Sequence, residues 1–524
     1  MKNYCLIFAG LFCAAALMAA ERPNIVIFYV DDLGWADTSV RMMESDPNSA
    51  SDFHQTPHLA ALAKRGMKFS NAYAPAPTCT PSRKSIQFGK TPGRLGYTFV
   101  HDVLALQRKL EWKNETSLAD VVKAADPNYI TAHFGKGMGN ERMETIGYDV
   151  TDELEPHGDN GNFHGDYISL KNRTKLPPDN PKRMASLQKS SVDFVNAHSG
   201  KRPFLMMVSH YAVHVPHAAR ADLIEKYRKL PRGKYLTDSD YLPVDEMPKG
   251  KVISSWRLQY AAMLEECDEG LGAIVAALKK TGQLDNTIIL FTSDNGGGLG
   301  PNGTLRGGKA NLYEGGLRVP FVVAGPGVKA GAQCDVPVAQ WDLLPTLHDY
   351  AKSAQPLPKD LDGASLRGVF EKGNGATVKR PGEGFVFHYP CYFAPPLTVI
   401  RLGDYKFMEH HLSGEQKLFN VKTDYAEQTN LIESMPEKAS ALRTVMMRYL
   451  DAIDAEDVQD VYKARFAGLD HFELMARQNH TKSIDRAKGD QKLIAEADAR
   501  LKEQLERFER NRKECRANMQ GKTF

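Results

Sequence analysis

Cysteine is scarce in this chain, and no excess of charge of either sign is present. Seven cysteines are spread over 524 residues, and two of them, Cys5 and Cys13, fall within the first twenty positions. The other five, Cys79, Cys267, Cys334, Cys391 and Cys515, form no CxxC pair, which argues against a zinc site built on that spacing. A small disulfide-stapled domain is excluded as well. Lys and Arg number 67 against 64 Asp and Glu, a formal net charge of +3. The basic excess that a nucleic-acid partner demands is therefore missing. Beyond the opening segment no apolar run approaches the roughly 20 residues of a membrane-spanning helix. What remains is an ordinary globular composition, 42% hydrophobic and 25% charged, with material for a large core.

The opening segment differs from the rest. Lys2 precedes an almost wholly apolar stretch from Cys5 to Ala20 that is rich in small residues. It reads as a signal peptide over residues 1–20, cleaved near Ala19 or Ala20. Cys13 follows Phe12, not the small residue expected before a lipid-modified cysteine. The mature protein is expected to be exported, to a periplasm or to the medium. Its five cysteines are an odd number, so at least one has no intrachain partner.

Short apolar runs at 25–30, 129–134, 204–208, 288–292 and 319–323 read as buried parallel strands. Residues 57–65 and the long amphipathic stretch 255–279 read as helices between them. This alternation predicts an α/β domain over 22–375, with helices on both faces of a mixed, mainly parallel sheet. Residues 376–433 read as a small antiparallel-sheet subdomain, with a hairpin turn at Leu402-Gly403-Asp404. Residues 434–524 read as a helical extension, ending in a charged helix over 490–519 that is either extended or paired.

Four of the strand runs end in polar residues. The first meets Asp31 and Asp32, the second Lys136, the third His210 and His214, and the fourth Asp294 and Asn295 with three glycines after them. In open α/β sheets ligands bind beyond the carboxyl ends of the strands, so parallel strands would bring these groups to one edge. Asp31, Asp32, Asp294 and Asn295 offer oxygen ligands only, which suits a hard cation, Ca²⁺ ahead of Mg²⁺. Either dipeptide alone is an ordinary turn or cap. Lys136, His214 and Lys309 add cations and donors of the kind that hold a tetrahedral oxyanion, sulfate or phosphate, beside a metal. Of the three histidines His210, His214 and His217, one or two are expected to be structural.

The run Cys79-Thr80-Pro81-Ser82-Arg83 matches the Cys-x-Pro-x-Arg signature of the type I, formylglycine-dependent sulfatases of the alkaline phosphatase superfamily. NIVIFYVDDLG at 24–34, Phe134-Gly135-Lys136, SDNGG at 293–297, LRGGKANLYEGGLRVP at 305–320 and the stretch 418–430 resemble further segments of that family. The resemblance spans about residues 22–432. It implies a large alkaline-phosphatase-like domain with a small C-terminal one. It implies a maturating, formylglycine-generating enzyme that oxidises Cys79 to an aldehyde, and a Ca²⁺ held by Asp31, Asp32, Asp294, Asn295 and the modified Cys79. In the family the hydrated aldehyde attacks sulfur with one hydroxyl, and the second then expels sulfate. By the same resemblance Arg83 orients the diol, Lys136 binds sulfate and nucleophile, Lys309 stands beside the bridging oxygen, and His214 donates a proton to the leaving oxygen.

One position departs from the family. A histidine commonly follows the Gly-Lys pair at the place of Met138 and helps the second hydroxyl expel sulfate, and methionine takes no proton. His157 and His164 are the candidate substitutes. The expected function is hydrolysis of sulfate esters, on sulfated carbohydrate. The alternatives are a phosphodiester or phosphonate hydrolase of the same superfamily and a low-activity sulfated-glycan-binding paralogue. His388, Tyr389, Tyr392 and Arg401 stand either on the substrate rim or within the small sheet. The sequence assigns no oligomeric state.

Overall fold

The computed structural model describes residues 22–100, 110–139, 141–152, 161, 163–164, 174–231, 253–298, 302–390 and 396–520. The expected signal peptide, His157, Cys391 and Tyr392 lie outside them. His164 belongs to a two-residue strand, Phe163–His164, whose side chains also lie outside the description.

The apolar runs assemble into one eight-stranded sheet. Its members are β1 (Asn24–Val30), β2 (Met67–Phe69), β3 (Ile130–Gly135), β4 (Val150–Thr151), β5 (Phe204–Ser209), β6 (Thr287–Ser293), β7 (Phe321–Ala324) and β8 (Ala332–Cys334). They lie in the order β8-β2-β7-β6-β1-β5-β3-β4. β1 is central and parallel to both neighbours, β5 and β6, and β3 is parallel to β5. Alternate residues of β1 enter different cores, as the period of a strand requires. Val26, Phe28 and Val30 pack with Leu59 and Leu62 of α1 (Pro57–Arg65), Leu187 and Phe194 of α3 (Met184–His198), and Leu264 and Leu271 of α4 (Ile253–Lys280). Ile25, Ile27 and Tyr29 pack on the other face with Ile86 and Phe88 of α2 (Cys79–Phe88) and Leu343 and Leu347 of α5 (Leu343–Tyr350).

The register levels the strand ends. Tyr29 lies opposite Ser209 and Thr292, and Ser209 lies opposite Gly135. The residues just beyond these four therefore emerge side by side.

The run at 319–323 is a correction. It forms β7, over Phe321–Ala324, antiparallel to both β6 and β2. The chain leaves β6 at the ligand-bearing edge and re-enters the sheet from that same edge, so β7 has to run the other way.

The small sheet is antiparallel: β9 (Phe385–Tyr389), β10 (Leu397–Leu402), β11 (Tyr405–His410) and β12 (Gln416–Asn420). Gly403-Asp404 turns β10 into β11. One face packs on α6 (Pro436–Ala452) through Ile400, Phe407 and Met446. The other packs on the large domain, where Phe385, Phe387 and Met408 meet Tyr73, Leu317 and Trp341. Charge is buried along this seam. Lys406 Nζ lies 2.9 Å from both Glu314 Oε1 and Glu427 Oε1, and Arg318 pairs with Glu314 Oε2. The charged terminal helix is paired: α7 (Val458–Ala487) and α8 (Gln491–Gln520) run antiparallel, bridged by His480–Asp498 and Arg512–Asp470. No helix among the described residues is long and apolar enough to cross a membrane.

Candidate active site

Cys79 is the first residue of α2, entered from Thr78 in an extended conformation and closed by the left-handed Gly89. All ten residues of this helix are buried. Its unsatisfied N-terminal N–H groups favour an anion next to Cys79. Arg83 follows by four residues and so shares the face of Cys79. Its guanidinium collects the strand ends. Nε and Nη2 reach Asp294 Oδ2 at 2.9 and 2.8 Å, and Nη1 donates to Lys136 O at 3.1 Å and to Ser209 Oγ. The Tyr29 ring lies beneath it at 5.0 Å.

Asp31, Cys79 and Asp294 bring a ligand atom each to within 4.8 Å of one another. Lys136 pairs with Asp31 Oδ2. Gly135 makes that turn possible: its φ is +95°, and a Cβ there would lie 2.0 Å from Ser209 O. Asp32, itself left-handed at φ +61°, accepts from Asn295 Nδ2 at 2.8 Å and from Lys309 Nζ at 2.9 Å. Lys309 Nζ also lies 2.8 Å from His214 Nε2, and His214 Nδ1 faces Val215 O. That arrangement makes Nδ1–H the donor to the carbonyl and Nε2 the acceptor, with the proton on Lys309.

The electrostatics are those of a cation site. Burial alone would raise Asp31, but Lys136 and Arg83 overcome it and hold Asp31 well below the usual carboxylate range. Asp294 is pushed up to about 8 by burial and by the neighbouring Asp31 charge. His214 is pushed down to about 3 by burial and by Lys309. Asp31 Oδ1 and Asn295 Oδ1 are buried oxygens without a hydrogen-bond donor. Two orphaned oxygens beside crowded carboxylates and a sulfur fit a hard cation, because a divalent charge would satisfy both oxygens and relieve the crowding. Of the five expected ligands, Asp31, Cys79 and Asp294 converge, Asn295 presents an open carbonyl, and both Asp32 oxygens are engaged by Lys309 and Asn295.

The remaining candidates separate cleanly. His210 is core: it packs against Phe28 at 4.6 Å, with Nδ1 3.6 Å from Cys267 Sγ. His217 sits partly buried beside the Tyr260 ring. His388 is held by Thr398 Oγ1 at 2.7 Å and Glu456 O at 2.8 Å, Tyr389 is buried, and Arg401 lies over Tyr73 at 5.0 Å. These three serve the small sheet and its seam. Met138 is 1% exposed and packs with Phe88, Trp112 and Ile146. Cys79, Cys267 and Cys334 form no disulfide, and they and Cys515 are buried. Reading strand ends missed Ser209, which anchors Arg83, and Gln340, which accepts from Tyr29 OH at 2.8 Å and donates to Ser293 O. Ser209 directly precedes His210, and its place at the end of an apolar run was the available signal.

The sulfatase family model matches residues 23–353, most of the α/β domain. This chain belongs to the sulfatase family. It is a sulfuric ester hydrolase with the fold of its relatives. A choline-sulfatase of Rhizobium meliloti is 28% identical over 459 residues, covering 80% of this chain and 84% of its own. An ulvan-active sulfatase of Formosa agariphila is 28% identical over 430 residues, covering 78% and 77%. The crystal structure of Ps i-CgsB in complex with k-i-k-neocarrahexaose superposes with a TM-score of 0.63 at 25% identity, covering 82% of this sulfatase and 93% of that chain.

Proposed function

We propose that this sulfatase removes sulfate from sulfated carbohydrate, using a formylglycine made from Cys79 by a maturating enzyme and a Ca²⁺ held by Asp31, Asp32, Asp294, Asn295 and residue 79. The observation that carries the reading is the convergence of Asp31, Cys79 and Asp294 within 4.8 Å, flanked by buried Lys136 and Arg83. The carbohydrate is supported by the ulvan-active relative and by the oligosaccharide bound to Ps i-CgsB. Nothing among the relatives favours a phosphodiester or phosphonate substrate. We also place the protein outside the cytoplasm, from the opening segment.

A hard cation here supplies charge that polarises the sulfate oxygens. The chain's own residues do the rest. Lys136 and Lys309 neutralise the sulfate group from two sides. Arg83 fixes the helix that carries residue 79 against three strand ends, so the nucleophile is placed before substrate arrives. Lys309 holds a proton towards His214 Nε2 across 2.8 Å. That proton is the one available to the departing alcohol. Burial of Asp31, Arg83, Lys136 and Asp294 excludes water from those charges and strengthens their contacts, while Lys309 and His214 stay partly open to the substrate side.

The test has two parts. Peptide mass spectrometry of the exported protein is expected to show an aldehyde in place of the Cys79 thiol. The matured enzyme is then screened on sulfated mono- and oligosaccharides and on paired aryl sulfate and aryl phosphate esters. Faster cleavage of the phosphate esters, or full activity from protein carrying only the thiol, would overturn the reading.

A further inference from the structure

Three of the loops that carry the cluster also close round one side-chain amide, that of Asn302, which is 4% exposed. Gly34 lies in the loop after Asp31 and Asp32, Gly297 in the loop after Asp294 and Asn295, and Gly308 directly precedes Lys309. A Cβ on Gly34 would stand 2.4 Å from Asn302 Oδ1, one on Gly297 2.8 Å from the same oxygen, and one on Gly308 3.1 Å from Asn302 Nδ2. The glycines make the room, and the amide fills it with directed bonds. Oδ1 accepts from the Gly297 N–H at 3.0 Å, while Nδ2 donates to Gly307 O at 2.9 Å and faces Gly297 O at 3.4 Å. One partner is an N–H and the others are carbonyls, which fixes the way the amide faces. The backbone of Lys309 hangs from the same loop, its N–H on Gly297 O at 3.1 Å. Its stem runs along that loop too, for a Cβ on Gly298 would meet Lys309 Cδ at 3.6 Å.

We propose that Asn302 aims Lys309: by tying Gly307 to Gly297 its amide sets where the Lys309 ammonium stands against the sulfate group. The inference rests on the reading of Lys309 as a residue that neutralises that group. Asn302 is a positioning residue and acts through Lys309. The chain on either side of Lys309 is held at two further points, Arg306 O by the Gly315 N–H at 2.8 Å and the Ala310 N–H by Pro77 O at 2.7 Å. Between them it passes Gly307 in the left-handed region, φ +75°, with the carbonyl on Asn302. Without the amide that stretch is free to shift, and the ammonium shifts with it. Asp294 and Asn295 do not depend on Asn302 in the same way. Arg83 holds Asp294, and the Gly296 N–H is held by Gly316 O at 3.0 Å. Loss of the amide therefore misplaces the cation of Lys309 and leaves the carboxylates where they are.

Asn302→Ala removes the amide. Asn302→Asp keeps the acceptor for the Gly297 N–H and sets a second oxygen against the Gly307 carbonyl. Each is made in the native chain and in Lys309→Ala, and kcat/KM on an aryl sulfate is measured per molecule of matured protein. In the native chain each is expected to lower kcat/KM by roughly a hundredfold, the cost of misplacing a reacting group by about 1 Å. In Lys309→Ala there is nothing left to aim, and the further loss stays within about twofold, the scatter of such cycles. Because Lys309→Ala is itself slow, the same cycle is read by calorimetry on inorganic sulfate, which needs no turnover. There the affinity falls on losing the amide in the native chain and does not fall further in Lys309→Ala. Calcium by elemental analysis stays as in the native protein. Losses that multiply across the two backgrounds overturn the inference, as do native kcat/KM in Asn302→Ala and a loss of calcium with the amide. If circular dichroism shows Asn302→Ala unfolded, the cycle with Asn302→Asp decides. Native turnover in Lys309→Ala overturns the reading of Lys309, and the inference with it.

Discussion

Asp31, Asp32 and Asp294 at the strand ends and Glu314 and Glu427 at the small-sheet seam are equally hidden, none more than 6% exposed, yet their partners differ. At the seam every carboxylate oxygen meets a donor or a cation. Glu314 takes Lys406, Arg318 and the Tyr73 hydroxyl at 2.7 Å, while Glu427 takes Lys406 and the Glu314 N–H at 2.7 Å. At the strand ends Asp31 Oδ1 has no hydrogen-bond donor and a cation only at 3.7 Å, Arg83 Nη2, against 2.9 Å from Lys406 to Glu427 Oε1 at the seam, and Asn295 Oδ1 meets no donor. Both clusters mix acids with Lys and Arg, so composition does not tell them apart. The unfilled oxygens do. A seam whose valences are closed within the protein is structural, and an edge that leaves two oxygens open is built for something the chain does not itself supply.

The sharpest way to break the comparison is to remove one acid from the open edge. Asp294→Ala is expected to lower turnover by roughly a thousandfold or more and to abolish stoichiometric Ca²⁺ in elemental analysis, with the far-ultraviolet circular dichroism unchanged. Retained calcium would contradict the assignment. At the closed seam the effect falls on stability. Lys406→Met strands two buried carboxylates, and urea unfolding should show a loss of about 3–5 kcal/mol, while turnover per folded molecule stays native. A chelator then separates the two regions without mutation. With Ca²⁺ at about a hundred times its Kd, stripping it removes about 2.7 kcal/mol, read as a fall in Tm that Asp294→Ala no longer shows. The smallest effect belongs to exposed charge. Arg448 pairs with Glu383 where both side chains are more than half exposed, and a double-mutant cycle on that pair should return less than about 1 kcal/mol.

The strand ends were legible because a buried parallel strand is an unbroken apolar run, and the residue that stops it marks the ligand edge. Asp31, Lys136 and Asp294 were found in that way, each directly after the last residue of its strand. The helix over 57–65 was equally legible, since Pro57 opens it and Gly66 closes it. Direction was not: an apolar run such as 321–324 looks the same parallel or antiparallel, and only the edge at which the chain re-enters decides it. Nor was the meeting of Gly34, Gly297 and Gly308 on Asn302, because a lone asparagine just before Leu305 gains meaning only when three loops close round it. The same holds for His388, whose two ring nitrogens are satisfied by residues 10 and 68 positions away.

The burial of α2 on all sides sets an order of events in the life of the molecule. Cys79 lies 6% exposed at the start of a helix whose Arg83 is bolted to three strand ends. An enzyme that reads Cys-x-Pro-x-Arg as a linear stretch and reaches its thiol cannot do so once that helix has docked. If Cys79 is oxidised as proposed, that step has to precede folding, while the segment is still an open thread, and protein folded first with its thiol intact should resist later conversion by added maturating enzyme. The same docking that gives residue 79 its fixed aim closes the window in which it can be made.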